Sequence, residues 1–442
     1  MSDPPVAIIG SGTMGLTLGR LLPESILYEK APFIGGSSRT IQHKGFHFDT
    51  GLHFLPRLDP EVEDFLKPLL GDGLRSLELS EKGWAVIQGG KVLRNPSGIE
   101  DLVRPLNPFL KVPLLTSHYF RRAFPRRGPS EEALTINHYG DLYYRFFLKA
   151  PIEKFGGLPP SKKIFPWTQS PKTDPLPLRI ARWIRRGGKS PERKPAALSY
   201  PFPWFGSLIE KLAEGLEVRT SSEITWIDFS PEKEAVRIRI NRQEPIACRN
   251  VVFTVPPHLV LPLFNPPPDI LERASAIRYQ DLIYGVLFFN AGEVMDSYIV
   301  YGSGREIFSR AFEPKKLCGE TAPADKTAVC FEIPCFKDSP LWKTPDGEIL
   351  ERASGDLRRH YRGTPQPYDG IVFRFPRVLF LFDASLEENL KAVYQFASQF
   401  KNVYFPGREA VLQGGRNTNT AIKEAFRIFG EIRERAPALA IR

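Results

Sequence analysis

The stretch Val6-Ala7-Ile8-Ile9-Gly10-Ser11-Gly12-Thr13-Met14-Gly15 decides how this chain folds. Four apolar residues lead into glycines spaced G-x-G-x-x-G, and Leu16, Leu18, Leu21 and Leu22 continue at helical spacing. That order is strand, turn, helix. The first glycine permits the tight turn, the second lets backbone approach a pyrophosphate, and the third lets helix and strand pack closely. The helix N-terminus then offers unpaired N–H groups and the positive end of its dipole to phosphate. Gly10, Gly12, Thr13, Met14 and Gly15 are therefore candidate cofactor contacts. A second short strand, Ile26-Leu27-Tyr28, runs into Glu29, about 20 residues after the first glycine, where a carboxylate can accept ribose hydroxyls. Lys30 adjoins it as a further candidate.

The next segment chooses the dinucleotide. Gly35-Gly36-Ser37-Ser38-Arg39-Thr40 is followed by Gly45-Phe46-His47-Phe48-Asp49-Thr50-Gly51-Leu52-His53. These strings resemble the GG-x-x-R-T and F-D-x-G-x-H signatures of the FAD superfamily that contains amine oxidases, protoporphyrinogen oxidase and UDP-galactopyranose mutase. The resemblance implies an α/β fold: a Rossmann-type, GR2-like FAD-binding domain with a β-meander, interleaved with an α+β substrate domain. It also implies that Gly35, Gly36, Ser37, Arg39 and Thr40 lie against the FAD phosphates and the isoalloxazine edge, with Gly51 and His53 close by.

Weaker echoes of the same family occur further along. Tyr139-Gly140-Asp141-Leu142-Tyr143 and Lys154-Phe155-Gly156-Gly157 are similar to part of its substrate domain. Tyr200 to Leu208 resembles its Y-P-x-G-G turn, with Phe205-Gly206 in place of the double glycine. Residues 218–220, 224–227 and 236–240 look like its meander, and Val218 matches the backbone grip on adenine. Asn402-Val403-Tyr404-Phe405-Pro406-Gly407-Arg408-Glu409 and Gln413 to Ala421 resemble its closing motif, which implies that Gly407, Arg408, Asn419 and Thr420 hold the ribityl and pyrimidine end of FAD. The covalently flavinylated amine oxidases carry a cysteine where this chain has Gly414-Gly415, so noncovalent FAD is expected. The domain limits expected from these segments are 1–90, 200–257 and 400–442 for FAD, and 91–199 with 258–399 for the substrate. Strands are predicted at 282–289, 298–301, 307–312 and 329–333, and a helix at 349–361.

Charge is concentrated. Of the net +10 in 442 residues, residues 111–195 supply +12, from 18 Lys or Arg against 6 Asp or Glu, leaving −2 for the rest. Aromatic residues crowd the same region, among them Phe109, Tyr119, Phe120, Phe124, Tyr143 and Phe147. Arg179 to Arg186 reads as a short basic amphipathic turn suited to an anionic membrane surface or an anionic substrate, the plainer alternative being a solvated basic face. No nucleic-acid motif accompanies the charge, so no nucleic-acid partner is expected. No apolar run approaches the roughly 18 residues of a membrane span, and the N-terminus lacks the apolar core of an export signal. Cys248, Cys318, Cys330 and Cys335 are too few for a disulfide framework, which favours a reducing cytoplasm. Cys330 and Cys335 lack a second ligand pair, and His43 and His47 flank Gly45 in extended chain, so no metal is expected.

The family resemblance implies an FAD-dependent oxidoreductase taking hydride from an organic small-molecule substrate onto flavin N5. Two alternatives stand beside it: a redox-neutral enzyme of the UDP-galactopyranose mutase type, and a flavin-binding peripheral membrane protein without turnover. Arg408 is followed by Glu409-Ala410-Val411-Leu412, which lacks the aromatic pair that frames the amine in true amine oxidases. The candidate reacting residues are His53 and Arg310.

Overall fold

Five parallel strands carry the glycine turn. In the computed structural model, which describes residues 5–55, 58–78, 83–96, 98–164, 197–229, 236–412 and 417–435, their order is Val403–Tyr404, Asn250–Phe253, Val6–Ile9, Ile26–Tyr28 and Glu217–Arg219. Every neighbouring pair is parallel. Val6–Ile9 and Asn250–Phe253 are buried along their whole length, which is why Val6–Ile9 and Val251–Phe253 are continuous apolar runs rather than alternating ones. The helix Thr13–Leu21 packs against both the sheet and the last helix, Thr418–Arg435.

The chain divides into two units, Met1–Ser76 with Leu198–Arg278 and Ser385–Arg442, and Leu77–Ala197 with Tyr279–Ala384. The first holds the parallel sheet. It also holds a three-stranded antiparallel meander, Ile224–Phe229, Val236–Ile240 and Ile246–Cys248. Ile227, Val236 and Ile238 share one core with Ala7, Val251 and Phe253. The meander differs from the expectation at both ends. Residues 217–219 leave it to extend the parallel sheet, with Val218 in register with Leu27, and the polar-flanked strand Ile246–Cys248 replaces them.

The second unit is built on a seven-stranded sheet ordered Asp369–Phe380, Tyr279–Phe289, Thr327–Cys335, Arg310–Phe312, Ile299–Tyr301, Trp84–Gln88 and Lys91–Arg94. All pairs are antiparallel except Ile299–Tyr301 with Trp84–Gln88. The helix Asp346–His360 covers it through Ile349, Ala353 and Leu357. Around Ile99, Leu102, Leu114 and Tyr143 lies a separate helical core.

The unit limits differ from the predicted ones for two reasons. Strands 84–88 and 91–94 pair into the second sheet, which moves the first boundary before residue 90. The helices Pro268–Ser275 and Leu386–Ala397 pack on each other within the first unit, which moves the later boundaries to 278 and 385. Cys248, Cys318, Cys330 and Cys335 are buried, and none of them forms a disulfide. Among the described residues no helix is long and apolar enough to cross a membrane, and no group of three His, Cys, Asp or Glu converges.

Candidate functional site

The first glycine turn is set by close contact. Gly10 has φ +107°, and a Cβ there would lie 2.2 Å from Thr254 Oγ1; a Cβ on Gly15 would lie 2.0 Å from the Gly10 carbonyl oxygen. Neither position tolerates a side chain while helix and strand stay together. Gly12 is different, with nothing within 4 Å of the place its Cβ would take. The helix begins at Gly12 without a side-chain cap, which leaves its first N–H groups, including those of Met14 and Gly15, without a side-chain acceptor.

The second glycine turn abuts the first. Gly35 N–H donates to the Ser11 carbonyl at 2.9 Å, Gly12 and Gly35 form an isolated parallel bridge, and Thr13 Oγ1 donates to Ser38 Oγ at 3.1 Å. Gly36 has φ +55°, and its missing Cβ would sit 3.6 Å from Gly12 Cα. Segments 10–15 and 35–38 therefore build one cradle. Glu29 is tied into it: its buried carboxylate accepts from Ser11 N at 2.9 Å, from Ser11 Oγ at 3.0 Å and from Ala31 N at 2.9 Å. Lys30 beside it is exposed.

Arg39 and Arg408, two of the expected cofactor contacts, have no acidic partner among the described residues. The Arg39 guanidinium lies 3.5 Å from the Phe33 ring centroid, and burial lowers its pKa below the usual arginine value. Stacked on a ring and free of carboxylates, its donors suit phosphate oxygens. Arg408 opens the helix Arg408–Leu412, after Gly407, whose N–H donates to Glu424 Oε2 at 2.6 Å. Ser37 uses its carbonyl to accept from Thr50 Oγ1 at 2.8 Å.

Three further expected contacts, Thr40, Asn419 and Thr420, have these surroundings. Thr40 Oγ1 donates to Asp49 Oδ1 and accepts from Gly206 N at 2.7 Å, so its hydroxyl serves an internal network. Tyr200 OH donates to the other Asp49 oxygen at 3.0 Å and accepts from Phe205 N at 3.2 Å. This network pins the start of the helix Gly206–Ala213 to the hairpin Thr40–His43/Phe46–Asp49. Burial pushes the Asp49 carboxyl up to about 7, against the hydrogen bonds from Thr40 and Tyr200. The last helix starts before Asn419 and Thr420, at Thr418, and is capped by Asn417, whose Oδ1 accepts from Asn419 N at 3.0 Å. Asn419 Oδ1 accepts from Asp59 N at 3.1 Å, and Thr420 lies in the first turn. Asp49 and Tyr200 are joined across 151 residues, with no local signal.

The candidate reacting residues have these surroundings. Gly51 is buried and His53 half-buried, the His53 ring 5.0 Å from that of Phe205. Arg310 lies in the other unit, in register with Glu332 and paired to it at 2.6 Å. Burial works to lower the Arg310 pKa, and the Glu332 charge overrides it and holds the group charged. The guanidinium is committed to its own sheet.

The second unit contains a cavity of 460 Å³ lined by Trp84, Tyr139, Tyr143, Phe147, Phe155 and Tyr301. Tyr139 stacks on Tyr143 at 5.6 Å, and Tyr143 meets Phe147 at 5.0 Å. Tyr143 OH donates to Gln88, whose Nε2 donates to the Leu102 carbonyl at 2.8 Å, so the polar end of the cavity is fixed. Arg305 lines it too, exposed and without an acidic partner among the described residues. Its loop is anchored by Glu306, which accepts from Ser303 N and Oγ and meets His360 Nε2 at 2.8 Å. Both side chains of the Glu306–His360 pair are 2% exposed. Burial alone would raise the Glu306 pKa, but these hydrogen bonds hold it down to about 2. Removing one partner strands the other, so Glu306→Ala is expected to cost about 3 kcal/mol or more in urea unfolding at pH 7. Because the folded pKa is depressed, the contribution is present above the unfolded value near 4.5 and fades as pH falls toward 2.

A parallel sheet with paired glycine turns and a ribose-spaced acid defines an α/β protein of the FAD-binding class. The chain belongs to the flavin-containing amine oxidoreductase family, whose sequence model matches residues 16–407. Its fold is similar to that of reduced UDP-galactopyranose mutase, with a TM-score of 0.80 and 16% identity over 99% of this chain and 95% of that one. A protein of Exiguobacterium sp. 255-15, provisionally assigned as a protoporphyrinogen oxidase, gives 0.74 and 17% over 98% and 100%. Cyclohexylamine oxidase of Brevibacterium oxydans IH-35A gives 0.67 and 15% over 98% and 100%. No curated protein matches the sequence. The chain is accordingly an FAD-dependent oxidoreductase. The cradle suits that cofactor: open backbone at Gly12, an uncapped helix start, a fixed carboxylate at Glu29 and a carboxylate-free arginine at 39.

Proposed function

We propose that the protein holds FAD noncovalently and oxidises an apolar organic substrate at a carbon next to nitrogen or at a saturated carbon pair. Bound FAD supplies the hydride acceptor, N5 of the flavin. The observation that carries the reading is the joined pair of glycine turns with Glu29 hydrogen-bonded into them. In this reading the N–H groups at the helix start, with Gly36, Ser37 and Arg39, bind the pyrophosphate. Glu29 accepts from the ribose, and the Val218 backbone adjoins the adenine. Gly407, Arg408, Asn419 and Thr420 border the ribityl and pyrimidine end.

The stacked rings of Tyr139, Tyr143 and Phe147 support an apolar substrate body, which they orient while excluding water. Arg305 suits an acidic group on the same molecule. The segment after Arg408 offers buried Ala410, Val411 and Leu412 in place of aromatic rings, which argues for a substrate other than a simple amine. Buried free thiols suit a reducing cytoplasm.

The test is the visible spectrum of the purified protein, then anaerobic mixing with candidate apolar substrates while flavin absorbance is followed. Bleaching by one of them, with FAD released on denaturation, is the expected result. Ile152→Trp, which fills the cavity, is expected to raise KM at least about tenfold (about 1.4 kcal/mol) without changing flavin content. A colourless protein that fails to take up FAD would sink the reading, and turnover only after chemical pre-reduction would assign the redox-neutral chemistry instead.

A further inference from the structure

A helix that packs one face against a protein keeps polar side chains on the other. The helix Pro108–Ala123 does the reverse. Leu114 and His118, one turn apart, are its buried positions. On the opposite side Phe109, Val112 and Phe120 face outward, 88%, 67% and 53% exposed. Together with Pro113 and Thr116 they follow the spacing i, i+3, i+4, i+7, i+11, a single stripe about 16 Å long at 1.5 Å per residue. Phe124, just past the helix end, is exposed as well.

The charge carried by the segment that bears the stripe has one sign. Between residues 102 and 130 there are six Lys or Arg and no Asp or Glu. Asp141 pairs with Arg121 and Arg126, while Lys111 and Arg127 have no acidic partner among the described residues. Besides Asp141, the carboxylate of Glu100 is bonded to this helix, accepting from Tyr119 OH at 2.7 Å. An outward apolar ridge on a segment whose own charges are all cations matches a surface that is anionic outside and apolar just beneath.

We propose that the helix Pro108–Ala123 lies in the headgroup layer of an anionic lipid bilayer. Phe109, Val112 and Phe120 enter the acyl boundary, and Lys111 and Arg127 meet lipid phosphates. This docking is independent of the flavin chemistry, so either can fail without the other.

The test uses full-length protein with its FAD, sedimented with vesicles of phosphatidylcholine alone or of phosphatidylcholine with phosphatidylglycerol, at low and high salt. The wild type should pellet with the mixed vesicles only, and less so in high salt as the attraction is screened. The triple variant F109S/V112S/F120S changes outward-facing positions alone; its partition coefficient should fall at least tenfold with the flavin spectrum unchanged. K111E/R127E should weaken binding to the mixed vesicles and lose the salt dependence. Equal pelleting of the wild type and the triple variant, or no pelleting at low salt, overturns the proposal. So does concentration-dependent dimerisation in sedimentation velocity that the triple variant abolishes, since the stripe would then belong to a second copy.

Discussion

Glu29→Ala will yield a protein that folds but emerges from purification nearly colourless, with affinity for added FAD lowered about 100-fold or more. Two losses combine. The carboxylate accepts three hydrogen bonds, two from Ser11 and one from Ala31, that fix the direction of the turn; in the proposed site it also accepts from the ribose. A hydrogen bond to a charged group contributes about 1.5–3 kcal/mol, so losing the ribose contacts and the order of the turn together removes on the order of 3 kcal/mol, roughly two decades in Kd. Glu29→Gln should fall between the two proteins. An amide oxygen can still accept from Ser11, but its NH2 then faces the Ala31 N–H, donor against donor. Fluorescence titration with FAD measures all three, and wild-type affinity in Glu29→Ala would remove Glu29 from the site.

The second large effect concerns pH. In the fold the Asp49 carboxyl is pushed up to about 7, and its model value in an unfolded chain is 3.8. With a raised folded pKa, the unfolded chain gives up its proton first. Stability conferred by the neutral form is complete below about pH 4, is lost as pH climbs toward 7 and is flat above, a difference on the order of 4 kcal/mol. Asp49→Asn cannot ionise, so its unfolding free energy should lack this slope and match or exceed that of the wild type at pH 8. Urea unfolding of both proteins between pH 5 and pH 8 decides the matter, and parallel profiles would show that Asp49 stays ionised in the fold. The network gives the effect a local readout, since an ionised Asp49 remains hydrogen-bonded to Thr40 and Tyr200 but is cut off from water.

The parts of the fold that were legible are those whose signal is local. Val6–Ile9 and Ile26–Tyr28 each announce a buried parallel strand by an unbroken apolar run, and the glycine spacing announces the turn. Asp369–Phe380 stayed hidden although it is the longest strand described. Arg374, Pro376 and Arg377 interrupt its pattern, and it pairs through a register shift opposite Gln280 and Leu282. Arg377, with φ +55°, is held there by its N–H donating to Asp281 Oδ1 at 2.8 Å. A residue 96 positions away compensates the irregularity, and no window of sequence contains both. The same holds for Thr40 and Gly206, whose contact spans 166 positions. Short strands such as 84–88 carried too little pattern to show which sheet they would join.

The parallel sheet also bears on how fast the chain folds. Its outermost strand, Val403–Tyr404, comes from near the end of the 442 residues, and the first helix packs against the last, Thr418–Arg435. Val6 pairs with Asn250 and Val251 with Val403, so the strands that complete the sheet meet across 244 and 152 positions. Closing this sheet is accordingly slow beside forming its local turns, because loop-closure entropy is lost before the distant strands pair.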